Sequence, residues 1–218
     1  MFRLFSYTIP VDDGAAPNPF QDMCSLAICK PGIRRVANID DWVAGLGSKN
    51  SHSGDFSGHL VYAMHVEEVI SLKEYDRQAP ARWPHRIPNV HSADLSNRLG
   101  DCIYDYSQPS RSPSQRPGVH GAGNVETDLG GENVLISRDF YYFGCRPIRL
   151  PDYLLPICHQ TQGHRSDSNA RYADQFVAWL RSLGLTPGMH GWPDYMVDWG
   201  RCDGCSIRRL DDQNDPPC

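Results

Sequence analysis

The sequence has no apolar run close to the roughly 20 residues that a membrane-spanning helix requires, so a helical membrane protein is not expected. Lysine is scarce, present only as Lys30, Lys49 and Lys73. Net positive charge is missing as well, since 26 acidic residues against 21 basic ones give −5 at pH 7. A protein that coats duplex DNA through its phosphates is normally basic. That role is therefore disfavoured, while contact with a flipped base, a short single strand or a free nucleotide needs only a small cationic site. The basic residues other than those three lysines are all arginine, which suits bidentate contacts to phosphate or to base edges. A GC-rich genome that favours Arg codons explains the same bias.

Several catalytic signatures are absent too. There is no G-x-x-x-x-G-K-[ST] phosphate loop, no G-x-G-x-x-G after a strand, no H-E-x-x-H and no G-x-S-x-G. Zinc lacks a convincing ligand set. Cys202 and Cys205 have C-x-x-C spacing, yet a structural zinc needs a second pair, and Cys24/Cys29 and Cys158/His159 have the wrong spacing. Cys218 is a possible third ligand from the tail. Eight cysteines therefore read either as thiols scattered through core and tail or as a zinc-stapled interaction module. The first residues, MFRLFSYTIPVDD, carry one Arg and no apolar core before a cleavage site. They read as a strand and not as a signal peptide, and a cytoplasmic chain is expected.

What remains is a chain of 218 residues with 40% hydrophobic and 22% charged residues, enough for one large domain with an appendage. The expected boundary puts an α+β domain at residues 1–186 and an irregular tail at 187–218. Arg3 to Ile9 reads as a first strand. The two clearest strands are His59 to Ile70 (HLVYAMHVEEVI) and Asn133 to Phe143 (NVLISRDFYYF). Trp42-Val43-Ala44 reads as a strand broken at Gly45 and Gly47. Ser71 and Glu74 have capping-box spacing and predict a short helix. Asp167 to Leu183 predicts the best helix, with Ala173, Phe176, Val177, Leu180 and Leu183 on one face. Residues 107–123, rich in Ser, Pro and Gly, read as a lid or surface loop.

Candidate chemistry is concentrated in residues 18–49. Cys24 and Cys29 lie just before Lys30, Arg34 and Arg35, and cations near a thiol favour its reactive thiolate. Either cysteine can be a nucleophile if a histidine such as His65, His120 or His164 assists it; two buried structural cysteines are the plainer reading. Asp41 to Ser48 reads as a pocket edge, in which Trp42 enters the core and Gly45 and Gly47 let backbone N–H groups approach a ligand. Ser48 and Lys49 then line its mouth; a hairpin whose glycines serve only the turn is the alternative. Tyr141, Tyr142 and Phe143 offer rings for base stacking. Arg165, after His164, adds charge at the start of the long helix, either for an anion or as a polar helix start.

In combination these pieces carry a resemblance. N-P-F, which begins at Asn18, is followed by C-x-L-A-x-C-K-P-x-I-R-R, D-W-V-x-G-x-G-S and L-V-Y-A-M-x-V. The order resembles the nucleotide modification associated domain 2 family of phage and bacterial DNA modification systems. Later pieces fit in sequence, from Gly100 to Tyr104 through Val134 to Gly144 to Gly163-His164-Arg165. The D-W-V-x-G-x-G-S and L-V-Y-A-M-x-V pair is also similar to PUA-like folds, including EVE and ASCH domains, which implies a small β-barrel around a base.

The resemblance implies recognition of a nucleotide or modified base, with other modification-system proteins as possible partners and no cofactor specified. Asn18, Lys30, Arg34, Arg35, Trp42, Gly45, Gly47, Ser48, Lys49, Tyr141, Tyr142 and Arg165 are the expected binding residues. An enzyme of transferase or glycosidase type on the same scaffold is the alternative. Its polar candidates are Asp41, Asp101, His120, Asp139, His164, Cys24 and Cys29, which must converge in one cleft.

Overall fold

The computed structural model describes residues 2–108, 112–159, 163–198 and 206–208. In chain order the strands and helices begin with β1 (Leu4–Ile9), β2 (Cys24–Leu26), α1 (Pro31–Val36), β3 (Trp42–Gly47), β4 (His59–His65), β5 (Glu68–Ser71) and α2 (Leu72–Arg82). They continue with α3 (Leu95–Arg98), β6 (Tyr104–Asp105), β7 (Ser114–Gln115), α4 (Val125–Leu129), β8 (Asn133–Ser137), β9 (Phe140–Tyr142) and β10 (Ile148–Arg149). The last are α5 (Ala173–Ser182), β11 (Gly188–Met189), β12 (Met196–Asp198) and β13 (Ser206–Arg208).

The main sheet has the order β1-β3-β4-β9-β11, with β10 also paired to β4. β1 and β3 are parallel, as are β9 and β11, and β3-β4 and β4-β9 are antiparallel. A smaller antiparallel sheet has the order β2-β8-β5. Apolar side chains of both sheets form one core, with Phe5, Tyr7, Val43, Tyr62 and Met64 meeting Cys24, Leu26 and Leu135. The other face of the main sheet is covered by α5 through Ala173, Phe176 and Leu180. The outer face of the small sheet is covered by α2 through Leu72, Tyr75 and Ala79. The layers thus run helix, sheet, sheet, helix, an α+β arrangement. Both sheets are open, and no closed barrel forms among the described residues.

Both of the longest expected strands are interrupted. HLVYAMHVEEVI is divided into β4 in the main sheet and β5 in the small one. NVLISRDFYYF divides in the same way into β8 and β9. At the crossing points backbone groups pair between the two, Glu67 N with Ile136 O and His65 N with Asp139 O. Within β4 the register shifts opposite Gly45 and Leu46, so that Tyr62 faces the core between the sheets and Leu60 faces the helix side. β3 continues through Gly45 and does not break there; a Cβ at Gly45 would lie 2.3 Å from the Tyr62 ring, so the glycine makes room for that ring. Ser71 caps α2 as expected, accepting from Glu74 N at 3.1 Å, although α2 runs on through Pro80 to Arg82.

Candidate active site

After β2 the chain turns sharply into α1. Cys29 and Lys30 both take left-handed backbone conformations, with φ of 56° and 41°. Pro31 then starts α1 with its φ already set for a helix. This turn puts the half-buried Cys29 thiol on the wall of a cavity of about 540 Å³ whose walls include Thr8, Lys30, Ile33, Ser48 and His164.

Cys29 has a histidine partner. His120 Nε2 lies 3.4 Å from Cys29 Sγ, and His120 Nδ1 lies 2.6 Å from Asp128 Oδ2. Asp128, on α4, is completely buried. Its carboxylate also accepts from Cys29 N at 2.7 Å and from Tyr104 OH at 2.9 Å. One carboxylate therefore fixes both the ring and the backbone of the cysteine. His120 itself is held where Gln115 Nε2 donates to its carbonyl at 2.8 Å. Behind these groups lies Arg34, fully buried, with its guanidinium donating to the carbonyls of Asp128, Cys29 and Asn133.

Burial pulls the His120 imidazole down, but hydrogen bonds to Asp128 and Cys29 and the charge on both outweigh it and raise the ring to about 10. That value lies above the ordinary 6.5. The protonated ring therefore adds stability that is complete below about 6.5 and is lost as pH climbs through about 10. An NMR titration of the His120 ring is expected to show a midpoint near 10, and a midpoint near 6.5 would contradict the pairing.

Other groups around the cavity are tuned by burial. Lys30 is lowered by burial and held partly up by Cys29, with its Nζ 4.5 Å from the Tyr7 ring centroid. His164 is lowered by burial and by His159, and its ring stands 5.6 Å from that of Phe5. The other three free thiols among the described residues, Cys24, Cys102 and Cys158, are all pushed up, chiefly by burial.

The expected site residues divide into three groups. Cys29, Lys30, Ser48 and His164 line this cavity, with His120 against Cys29. Gly47 and Lys49 line an adjoining space that shares Thr8 and Ser48 with it. The remainder lie elsewhere. Cys24 is in the core between the sheets. Asp101 is buried, accepting from Tyr75 OH at 2.8 Å and from Ser25 Oγ. Asp41 is bound by Arg3 at a separate depression that also holds Trp42 and Arg181, and Arg181 in turn binds Asp139. The seven proposed catalytic groups therefore do not converge in one cleft.

The expected binding residues need a similar correction. Arg34 is occupied by carbonyls and does not face a phosphate. Arg35 reaches Gly130 O, and Arg165 reaches Pro156 O. Tyr141 and Tyr142 are buried, their hydroxyls bound to Arg181 and Asp12, so neither ring is offered to a base. Trp42 is stacked on His65, with centroids 5.2 Å apart. Asn18 is buried and donates to Leu99 O, and Gly45 lies under Tyr62. Cys202, Cys205 and Cys218, the suggested zinc ligands of the tail, lie outside the described residues.

Asp128 and Tyr104 were not expected at the site. Asp128 lies eight residues after His120 in V-E-T-D-L, where an acid on a short helix gives no signal of its own.

Cys29, His120 and Asp128 are also of the types that bind metals, and their ligand atoms lie within 4.8 Å of one another. The ring, however, uses one nitrogen toward sulfur and the other toward the carboxylate. An ion at His120 Nε2 would therefore be shared with Cys29 Sγ, with Asp128 bonded to the ring's other nitrogen as its outer partner.

Against known proteins, a family model described as nucleotide modification associated domain 2 matches residues 1–199. No curated protein and no solved structure matches the chain.

Proposed function

The chain belongs to the nucleotide modification associated domain 2 family, and from that membership we propose that it is a thiol-dependent transferase or hydrolase acting on a nucleotide or DNA base. One observation carries the proposal. Cys29 lines a cavity, and its sulfur contacts His120, whose other nitrogen is bound to the buried Asp128. This is the arrangement by which a nucleophilic cysteine, a general base and an orienting carboxylate carry out group transfer.

The chemistry follows from the positions of the protons. The Cys29 thiolate attacks a carbonyl-type carbon on the base substituent and forms a C–S bond. The imidazolium of His120 gives its Nε2 proton to the leaving group as that bond breaks. An incoming water or amine then passes a proton to Nε2 and attacks the same carbon, which breaks the C–S bond and restores the thiolate. No electrons from outside are needed. Asp128 stays ionised and holds the ring with Nε2 toward sulfur. Base recognition is part of this reading, since the cavity walls mix apolar Pro10, Pro31 and Ile33 with polar Thr8, Ser48 and Thr127. Glycosidase chemistry is disfavoured, because the carboxylates it would need, Asp41, Asp101 and Asp139, are each bound elsewhere.

The test is mass spectrometry of nucleosides from DNA and from the nucleotide pool made with the native chain and with Cys29→Ser. A nucleoside whose amount changes only with the native chain supports the proposal. Identical nucleosides from both, with the substituted chain still binding base or nucleotide, would reduce the function to recognition.

A further inference from the structure

The Cys29 cavity adjoins a second one. Thr8 and Ser48 line both, and the second lobe has a volume of about 490 Å³. This lobe lies at the sheet edge where the parallel strands β1 and β3 end and where β4 and β10 meet, with Arg149 opposite His59.

The two lobes differ in charge. Around the second are Lys49 and Arg149, with the polar side chains of Thr8, Ser48, Asn50 and Ser57, and no carboxylate is among its described walls. In a chain of net charge −5 this is a local reversal of sign. The acids that interact with these two cations do not cancel it. Asp152 is 3.7 Å from Arg149 in a pair exposed by 90% and 65%, which is worth almost nothing in water. Asp55 is fully exposed and feels Lys49 only weakly, after its bonds to Ser57.

The lobe is also firmly built. Ser48 O accepts from Phe56 N at 2.9 Å, and Ser48 Oγ accepts from Asn50 N at 3.1 Å, which closes the turn that carries Lys49. Gly47 is required there, since a Cβ would lie 2.3 Å from Phe56 O. Leu150 N donates to Gly58 O at 2.9 Å and fixes the chain next to Arg149.

We infer that this lobe holds the phosphate of a nucleotide unit whose base or base substituent lies at Cys29. The inference rests on the thiol reading above and adds the class of substrate, a phosphorylated nucleotide and not a bare base or nucleoside. Lys49 and Arg149 meet the phosphate with charge and a bidentate fork, and the polar rim completes the contacts. The phosphate belongs either to a free 5′-monophosphate or to a phosphodiester within a strand.

Calorimetric titration of the full chain tests this. The probes are the four 2′-deoxynucleosides, their 5′-monophosphates and short single strands, against native protein and the Lys49→Ala/Arg149→Ala chain. Arg149→Gln serves as a milder variant. At least one phosphorylated probe is expected to bind tenfold or more tightly than its nucleoside, and the double substitution is expected to bring the two within about twofold. Preference for the monophosphate identifies a free nucleotide, and preference for the strand identifies a phosphodiester. Equal binding of nucleosides and phosphorylated probes by the native chain, or unchanged phosphate preference in the substituted chains, overturns the inference. Cys29 alkylation is measured in parallel. An unreactive Cys29 with intact phosphate preference would defeat the thiol reading and leave the phosphate lobe standing.

Discussion

His120→Asn is expected to slow alkylation of Cys29 by iodoacetamide about tenfold at pH 7, because it removes the imidazolium beside the sulfur, and a cation at a thiol favours its reaction as a nucleophile. The native pair sets a higher rate. Cys29 Sγ lies 3.4 Å from an imidazole that remains protonated to about pH 10, and the sulfur faces an open cavity. Asparagine removes the cation and leaves Asp128 with its bonds from Cys29 N and Tyr104 OH, so the wall that holds the cysteine is retained. Peptide mapping by mass spectrometry separates Cys29 from the rest. Cys24, Cys102 and Cys158 have thiols raised by burial and should react slowly in native and substituted protein alike. Turnover, once a substrate is in hand, should fall further, by about 10²–10⁴, since the same ring moves the proton in both half-reactions. Equal alkylation of Cys29 in both proteins would mean that His120 does not activate it.

Arg34→Met is expected to destabilise the protein by about 3–5 kcal/mol, the usual cost of removing one partner from a buried charge network. For a domain of this size that lowers Tm by about 6–20 °C. The guanidinium has no exposed surface and donates to three carbonyls, those of Asp128, Cys29 and Asn133. Room for it exists only because residue 131 is glycine, where a Cβ would lie 2.2 Å from the guanidinium. Methionine fills much of the volume but leaves those carbonyls without a donor and the Asp128 carboxylate without its nearby cation. Arg34→Lys should recover only part of the loss, because an ammonium cannot reproduce the planar fork. Thermal unfolding followed by circular dichroism measures both. Loss of Cys29 reactivity should accompany the loss of stability, since Arg34 ties α1 to both Cys29 and Asp128. A Tm within about 2 °C of the native chain would show that these carbonyls find other donors.

Local chemistry in the sequence foretold several elements faithfully. The aromatic and β-branched run of β1, the Ser71 cap of α2 and the i, i+3, i+4 apolar face of α5 each record how one segment meets its immediate neighbours. The apolar runs around β4 and β8 are equally visible, yet each by itself looks like one strand. Periodicity shows that a segment is extended and buried, but nothing local tells that it leaves one sheet for another at Glu67 or Arg138. Gly45 likewise looks locally like a strand break, whereas the glycine is needed for a ring that arrives from β4.

The site shows the same division. Sequence alone places Cys29 beside cations, offers His65, His120 and His164 as its possible helpers, and carries the motif order of a nucleotide modification family. It could not choose among those histidines, because Cys29 and His120 are 91 residues apart and meet only when α4 packs against α1. Arg34 looked like a phosphate ligand by its composition and position, and burial turned it into the cation that holds the site together. Asp128 gave no sign at all. Its role comes from complete burial beside Cys29, His120 and Tyr104, and burial of that kind is a property of the packed chain and not of any stretch of it.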